Sequence, residues 1–159
     1  MDQKTKPFHV KWLARADLHT FKSLIHMFSV VFEDEPSLGS DAHLIKLLEN
    51  TSFLVIAAIS ENEVIGGLTA YELPMVHIDG SEMFLYDMAV RPEYQRMGVG
   101  RALVQSLKEY CAKHKIGTFF VMAHEEDVHA LEFYHATGGK SEKVVNFVYE
   151  TGKGDGLQP

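Results

Sequence analysis

The sequence predicts a mixed α/β domain, with antiparallel strands early in the chain and a parallel pair of strands in its middle. Strand-like and helix-like segments alternate along most of the 159 residues, and short turns separate them. A strand–helix–strand order over residues 82–123 implies a right-handed crossover, which joins parallel strands. A hydrophobic content of 46% and this chain length suffice for one domain with a substantial core.

The first half of the chain is predicted to hold strands and two amphipathic helices. In order, the elements are a strand over 8–14, a helix over 18–32, a helix over 41–49, and strands over 53–59 and 64–71. Asp17 precedes the first helix and is expected to cap it, and the apolar positions that follow keep the 3.6-residue period. The two later strands flank a polar turn, which is the pattern of an antiparallel hairpin.

The second half contains the predicted parallel pair. In order, the elements are a strand over 82–90, a helix from Gly98, a strand over 118–123, a helix over 128–136 and a closing strand over 144–149. The strand over 82–90 is apolar at nearly every position, as expected of a strand covered on both faces. Residues 151–159 are rich in glycine and are expected to form a flexible C-terminal tail.

The charge balance and the cysteine content exclude several classes of protein. Lys and Arg number 15 against 22 Asp and Glu, a formal net charge of −7, which argues against a nucleic-acid binder. The single cysteine, Cys111, allows no intrachain disulfide and favours a reducing compartment. The longest apolar run, residues 53–59, is far shorter than the ~20 residues that span a membrane. We therefore expect a cytoplasmic, water-soluble protein with no membrane partner.

A cationic turn lies between the strand over 82–90 and the helix that follows it. Residues 91–101 contain three arginines and one acidic residue in an otherwise acidic chain. Gly98 and Gly100 lie at the helix start, where missing side chains let an anion approach unpaired N–H groups. The turn lacks the third glycine of the dinucleotide fingerprint and the Gly-Lys-Ser/Thr of a P-loop. A phosphate site is therefore predicted, and a plain solvated turn is the alternative.

Two motifs resemble those of a known family. Residues 95–100, QRMGVG, are similar to the Arg/Gln-x-x-Gly-x-Gly/Ala signature of the GNAT superfamily of N-acetyltransferases. Residues 130–138, ALEFYHATG, resemble the superfamily's Ala-x-x-x-Tyr-x-x-x-Gly element. The resemblance covers residues 8–150 and implies a single N-acetyltransferase domain over 1–150. It also implies the GNAT fold, a mixed central sheet with a splayed parallel pair and flanking helices.

Residues 53–90 resemble, more narrowly, the bacterial aminoglycoside 3-N-acetyltransferases of GNAT type. Asp127 lies where many GNAT members have Asn and where this group has Asp. The resemblance implies direct transfer, in a ternary complex, of an acetyl group from acetyl-CoA to the 3-amino group of an aminoglycoside antibiotic, which confers resistance. The alternatives are a GNAT acetyltransferase of another cationic amine, such as a polyamine or a protein amine, and a catalytically silent CoA-binding module.

The resemblance also implies where acetyl-CoA binds. The pantetheine arm would pair with the strand edge at Met88, Ala89 and Val90, where backbone N–H groups near the first two would polarise the acetyl carbonyl. The pyrophosphate would lie on the backbone N–H groups of the cationic turn. The residues assigned to this turn are Gln95, Arg96, Met97, Gly98, Val99, Gly100 and Arg101.

Three residues are candidates for moving protons. Asp87 is the first candidate for recognising the amine or removing its proton, and His124 is the second candidate for the base. Tyr134 corresponds to the position from which GNAT enzymes often protonate the departing CoA thiolate, and a neutral phenol suits that role. The alternatives are a structural carboxylate at Asp87 and a core tyrosine at Tyr134.

Acidic side chains are expected to recognise a polycationic acceptor. The candidates are Glu33, Asp34, Glu35, Asp87, Glu125, Glu126 and Asp127. Each acidic run is equally compatible with a solvated surface turn. The histidines lack the spacing of metal ligands and the single cysteine offers no partner, so no metal is expected. Homodimers are common in the family, so a homodimer is an expectation of the resemblance alone.

Overall fold

A mixed sheet forms the centre of the first part of the chain. In the computed structural model, which describes residues 7–152, the chain divides into two units, one ending at His124 and one beginning at Glu125. The strands of the first unit are β1 (His9–Trp12), β2 (Phe53–Ser60), β3 (Glu63–Pro74), β4 (Ser81–Val90) and β5 (Phe119–Val121). Its helices are α1 (Leu18–Phe32), α2 (Asp41–Glu49) and α3 (Val99–Lys113), and the second unit contains α4 (Val128–Ala136).

The sheet confirms the predicted fold class. Neighbouring strands follow the chain order from β1 to β5; the first four pair antiparallel, and β5 pairs parallel with β4. β5 pairs only with Met83–Leu85 of β4. Within the described chain, the remainder of β4 as far as Val90 therefore has no strand on that side. The parallel pairing therefore ends at Leu85, and beyond it the backbone edge of β4 is open within the described residues.

Helices cover both faces of the sheet. Val99 and Leu103 of α3 belong to the buried cluster on one face, and Leu24 of α1 belongs to the cluster on the other. Gly67 on β3 lets α1 approach closely, because a Cβ there would lie 2.5 Å from Leu24 Cδ1 and 2.6 Å from the Ile56 carbonyl oxygen. None of the helices in residues 7–152 is long and apolar enough to cross a membrane.

The expected cap at Asp17 is wrong. Asp17 lies at the N-cap position of α1, but its side chain makes no cap hydrogen bond to that helix. Its carboxylate accepts instead from the Lys11 ammonium at 2.6 Å and from the Ala14 backbone N–H at 3.0 Å. A charge-assisted bond to Lys11 on β1 therefore holds the carboxylate away from the first turn of the helix.

The expected strand over 144–149 is also wrong. Residues 140–151 form neither strand nor helix, and the apolar side chains of this segment are highly exposed, from 71% at Val144 to 83% at Tyr149. Apolar and β-branched composition predicts a strand only where a neighbouring strand supplies hydrogen-bond partners. Of the expected tail over 151–159, residues 153–159 lie outside the described residues, and the single domain over 1–150 stays a prediction.

Candidate functional site

The turn between β4 and α3 forms a cup of backbone N–H groups. Arg96 and Gly98 both have left-handed backbone conformations, with φ of 59° and 85°, and Gly98 is the N-cap of α3. No side chain of residues 7–152 caps this helix, and the Ala102 N–H donates to the Gly98 carbonyl. The N–H groups of Val99–Arg101 precede that bond and have no acceptor within residues 7–152. Such groups at a helix N-terminus, where the helix dipole is positive, are suited to bind an anion.

Two side chains hold this N–H cup in place. Val99 is 1% exposed and packs in the buried cluster beneath α3, which anchors the start of the helix. Gln95 Nε2 donates to the Val90 carbonyl oxygen at 3.1 Å and so links the turn to the end of β4. Apart from its two chain neighbours, a Cβ built on Gly98 would meet no atom of residues 7–152 within 4 Å, so the space beside Gly98 is open.

The arginines of the turn differ in how available they are to a ligand. Arg91 Nη1 lies 3.4 Å from Glu63 Oε2, so its charge is partly neutralised. Arg96 and Arg101 are exposed and take part in none of the ion pairs formed within residues 7–152. Two guanidinium groups therefore remain to attract an anion to the N–H cup.

The open edge of β4 presents alternate backbone groups. The Arg91 N–H donates to the Ile65 carbonyl on β3 at 2.9 Å, and successive N–H groups of a strand point to opposite edges. The N–H groups of Met88 and Val90 therefore face the open edge, whereas that of Ala89 faces β3. Of the two positions expected to hold an acyl oxygen, Met88 is the one whose N–H lies at the open edge.

Asp87 immediately precedes Met88 on β4. Asp87 Oδ2 accepts from the Thr69 hydroxyl at 2.7 Å. Burial raises the pKa of this half-buried carboxyl above its ordinary value, and the hydrogen bond from Thr69 offsets part of the rise. The phenol of Tyr71 also has a raised pKa, chiefly because of burial and further because of Tyr86 and Asp87 nearby. A carboxylate with a raised pKa, next to an open backbone edge, can bind an amine or accept its proton.

The other candidates of the first unit are exposed. His124 lies beyond the end of β5 and makes no hydrogen bond to any described residue. It is therefore not hydrogen-bonded to Asp87, whose side chain is bonded to Thr69 instead. Residues 33–35 form an exposed acidic turn after α1, where Glu33 has φ of 57°. No ion pair within residues 7–152 involves these three acids, so their charge is available to a cation.

Asp127, in the second unit, has a structural role as the cap of a helix. Asp127 Oδ1 accepts from the Ala130 backbone N–H at 3.0 Å and so caps α4, while Glu125 and Glu126 are exposed. Burial, and secondarily the charge of Asp127, raises the pKa of the half-buried Tyr134 phenol. Tyr134 therefore keeps its proton at neutral pH. Across the described part of the chain, no three His, Cys, Asp or Glu side chains converge as metal ligands would.

Sequence reasoning missed a set of aromatic side chains beside Asp87. We call them the aromatic row, which consists of Phe53, Tyr71, Phe84, Tyr86 and Phe120. The alternation of Phe84 and Tyr86 along β4 was the only local signal. The remaining members come from three other strands, so only the register of the sheet brings them together.

Solved structures with substantial sequence identity are similar to this chain over nearly their whole length. An aminoglycoside acetyltransferase from an uncultured soil metagenomic sample, crystallised with trehalose, is 35% identical with a TM-score of 0.87. The alignment covers 92% of this chain and 97% of that one; the same enzyme has also been crystallised with sisomicin. A second aminoglycoside acetyltransferase from such a sample is 30% identical, with a TM-score of 0.88 over 92% of this chain and 99% of that one.

A curated relative and a family model agree with this likeness. The ribosomal protein bS18 alanine N-acetyltransferase of Escherichia coli (strain K12) is 29% identical over 89 residues. The match spans 56% of this chain and only 59% of that relative. The model of the acetyltransferase (GNAT) family, whose members use acetyl-CoA, matches residues 18–138. The chain therefore belongs to the GNAT family of acetyltransferases.

Proposed function

We propose that this chain acetylates the 3-amino group of an aminoglycoside antibiotic from acetyl-CoA, in the cytoplasm, and so confers resistance. The observation that carries the proposal is the adjacency of Asp87, a half-buried carboxylate, to Met88, whose N–H faces the open edge of β4. The first group can hold a cationic amine and the second can hold an acyl oxygen. Two relatives at 35% and 30% identity, both aminoglycoside acetyltransferases, support this class of acceptor.

The residues of the cationic turn fit the pyrophosphate of acetyl-CoA. The unpaired N–H groups at the start of α3 would hold it, together with the guanidinium groups of Arg96 and Arg101. The open edge at residues 88–90 would pair with the amide groups of the pantetheine arm, as an added strand pairs with a sheet edge. When bound, acetyl-CoA supplies the acetyl group in activated form, as a thioester.

In the proposed reaction, the amine nitrogen forms a bond to the acetyl carbon as the carbon–sulfur bond breaks. The Met88 N–H stabilises the negative charge that develops on the carbonyl oxygen. Asp87 accepts a proton from the amine, directly or through water, and His124 is the alternative base. Tyr134 gives its phenol proton to the leaving thiolate and is then reprotonated from solvent. Over the whole reaction the acceptor's ammonium group loses two protons. One is equivalent to the proton on the CoA thiol that is released, and the other enters solvent.

Exposed acids supply the charge that a polycationic acceptor needs. Residues 33–35 and residues 125–126 are solvent-exposed carboxylates, and an aminoglycoside carries several ammonium groups. We assign these runs, with Asp87 at the reacting amine, to steering and orienting the acceptor. Asp127 contributes its charge while it caps α4.

A second candidate acceptor is the α-amine of a protein. The curated Escherichia coli relative, by its name, acts on an alanine of a ribosomal protein. Asp87 and Met88 serve the same chemistry for that amine, because any alkylamine must lose its proton before it attacks. The two acceptors differ in charge, since an N-terminal peptide offers one ammonium group where an aminoglycoside offers several.

Thiol release from acetyl-CoA separates these candidates. Sisomicin, gentamicin, kanamycin, spermidine, a lysine peptide and a peptide with N-terminal alanine are supplied in turn as acceptors. We expect release with aminoglycosides and an acetyl group at the 3-amino position by NMR of the product. Release with spermidine or a peptide alone would reject the aminoglycoside acceptor, and release with none would favour the silent CoA-binding module. Light scattering on the same sample tests the expected homodimer.

A further inference from the structure

The aromatic row crosses the sheet in register. Phe53 on β2 pairs with Tyr71 on β3, Tyr71 pairs with Phe84 on β4, and Phe84 pairs with Phe120 on β5. Because directly paired residues point to the same face, the four rings lie on one side of the sheet. Tyr86 completes the row, with ring centroids 5.5 Å from Tyr71 and 5.3 Å from Phe84. The rings of Phe84 and Phe120 stack at 4.8 Å with an interplanar angle of 8°.

The row begins in the core and ends at the surface. Phe53 is 7% exposed and its ring lies 6.1 Å from that of Phe21 on α1, so this end is ordinary core packing. Tyr86 is 58% exposed and Phe120 is 40% exposed. Packing in the core explains the buried end of the row. It does not explain why large rings continue across β4 and β5 into solvent.

The exposed end of the row adjoins Asp87. Thr69 lies two residues before Tyr71 on β3, so both point to the same face, and Asp87 pairs with Thr69 in register. The register shifts between Thr69 and Ala70, which makes Tyr86 an extra residue of β4 immediately before Asp87. A bulge of this kind re-aims side chains locally. The carboxylate and the exposed rings therefore share one face of the sheet.

We propose that the exposed end of the aromatic row, formed by Tyr86 and Phe120, is the surface on which an amino-sugar ring of the acceptor stacks while its amine meets Asp87. The inference rests on the proposed function and adds a residue pair that recognises the saccharide. An amino sugar has an apolar C–H face, which packs against an aromatic ring, and ammonium groups, which are attracted to ring faces and to carboxylates. Carboxylates alone attract any polyamine, whereas rings beside a carboxylate favour a cyclic amino sugar over a linear polyamine.

The test compares Tyr86→Ala with Tyr86→Phe in the full-length protein. We expect Tyr86→Ala to raise the KM for sisomicin about tenfold, with kcat and the KM for acetyl-CoA unchanged, because the ring binds only the acceptor. Tyr86→Phe should behave as the wild type, because it keeps the ring. Ile78→Ala is the matched control, since Ile78 is 53% exposed in the loop between β3 and β4. Phe120→Leu, a milder change, should shift the KM for sisomicin in the same direction.

The outcomes distinguish this inference from the function on which it rests. A wild type that acetylates no aminoglycoside overturns both. A wild type that acetylates sisomicin while Tyr86→Ala and Phe120→Leu keep its KM, with melting temperatures that show both variants folded, overturns the stacking surface alone. A change of oligomeric state by light scattering with an unchanged KM also overturns it, in favour of a second copy of the chain on these rings.

Discussion

The Thr69 hydroxyl donates to Asp87 Oδ2 at 2.7 Å, and the Asp87 backbone N–H donates to the same hydroxyl oxygen at 3.2 Å. The two residues face each other across β3 and β4, so one side chain fixes both the rotamer and the backbone of Asp87. The hydrogen bond favours the ionised carboxylate, while burial disfavours it. The pKa of Asp87 is therefore set by a balance that a single substitution at Thr69 can change.

Thr69→Val removes the hydroxyl with little change of shape. Because the bond from Thr69 lowers the pKa of Asp87, its loss raises that pKa further. The acceptor amine needs the ionised carboxylate, so the acidic limb of the pH profile of kcat/KM should move to higher pH. Thr69→Ser keeps the hydroxyl and should leave the limb in place. If the acidic limb of the kcat/KM profile lies at the same pH in Thr69→Val as in the wild type, Asp87 is not the group that titrates in that limb.

Asp87→Asn should lower activity without lowering stability. The folded state raises the pKa of Asp87, so the ionised form is destabilising and its cost appears as the pH rises through the folded pKa. Asn keeps an oxygen for the Thr69 hydroxyl and carries no charge. Relative to the wild type, the variant should melt higher at about pH 8 and gain little at about pH 4, near the pKa of an ordinary aspartate. Lower stability at both pH values would assign Asp87 a structural role.

Gly98→Ala tests the N–H cup at the start of α3. The φ of 85° costs an alanine about 1 kcal/mol, and the new methyl group would occupy open space beside the N-cap of α3. We expect a higher KM for acetyl-CoA and an unchanged KM for the aminoglycoside. Gly117→Ala is the control, because Gly117 has equally open surroundings but no positive φ. Equal effects of the two substitutions on the KM for acetyl-CoA would contradict the assignment.

Tyr134→Phe removes the phenol while it keeps the ring. If Tyr134 protonates the thiolate, kcat should fall by about a hundredfold or more, and the melting temperature should change little. Tyr149→Phe is the matched control in the same unit, since Tyr149 is 83% exposed. Turnover of Tyr134→Phe equal to that of the wild type would remove this residue from the mechanism.

The parts of the fold that local patterns encode could be predicted. The helix expected from Gly98 follows from a glycine between a charged turn and an amphipathic run; in the structure Gly98 is the N-cap residue and α3 begins at Val99. The interaction of Asp17 could not be predicted from the local pattern. Its carboxylate accepts a hydrogen bond from Lys11 on β1, and this bond competes with capping of the helix. The segment over 144–149 has the composition of a strand, but composition supplies no pairing partner.

The candidate site could be proposed from the sequence where one segment carries it. Asp87, Met88 and the turn at residues 95–101 are close in sequence, so a single strand–turn–helix unit suggested them as candidates. The aromatic row depends on the pairing of β2 with β3, of β3 with β4 and of β4 with β5. A one-residue change of register at the bulge would turn Asp87 to the other face, and the sequence alone does not specify that bulge.

The identity of the acetylated product tests the central claim most directly. The purified full-length protein is incubated with acetyl-CoA and sisomicin, and the product is analysed by mass spectrometry and NMR. The proposal expects an aminoglycoside that carries one acetyl group, at the 3-amino position. Unmodified sisomicin, in a sample where the same folded protein acetylates a peptide with N-terminal alanine, would contradict it.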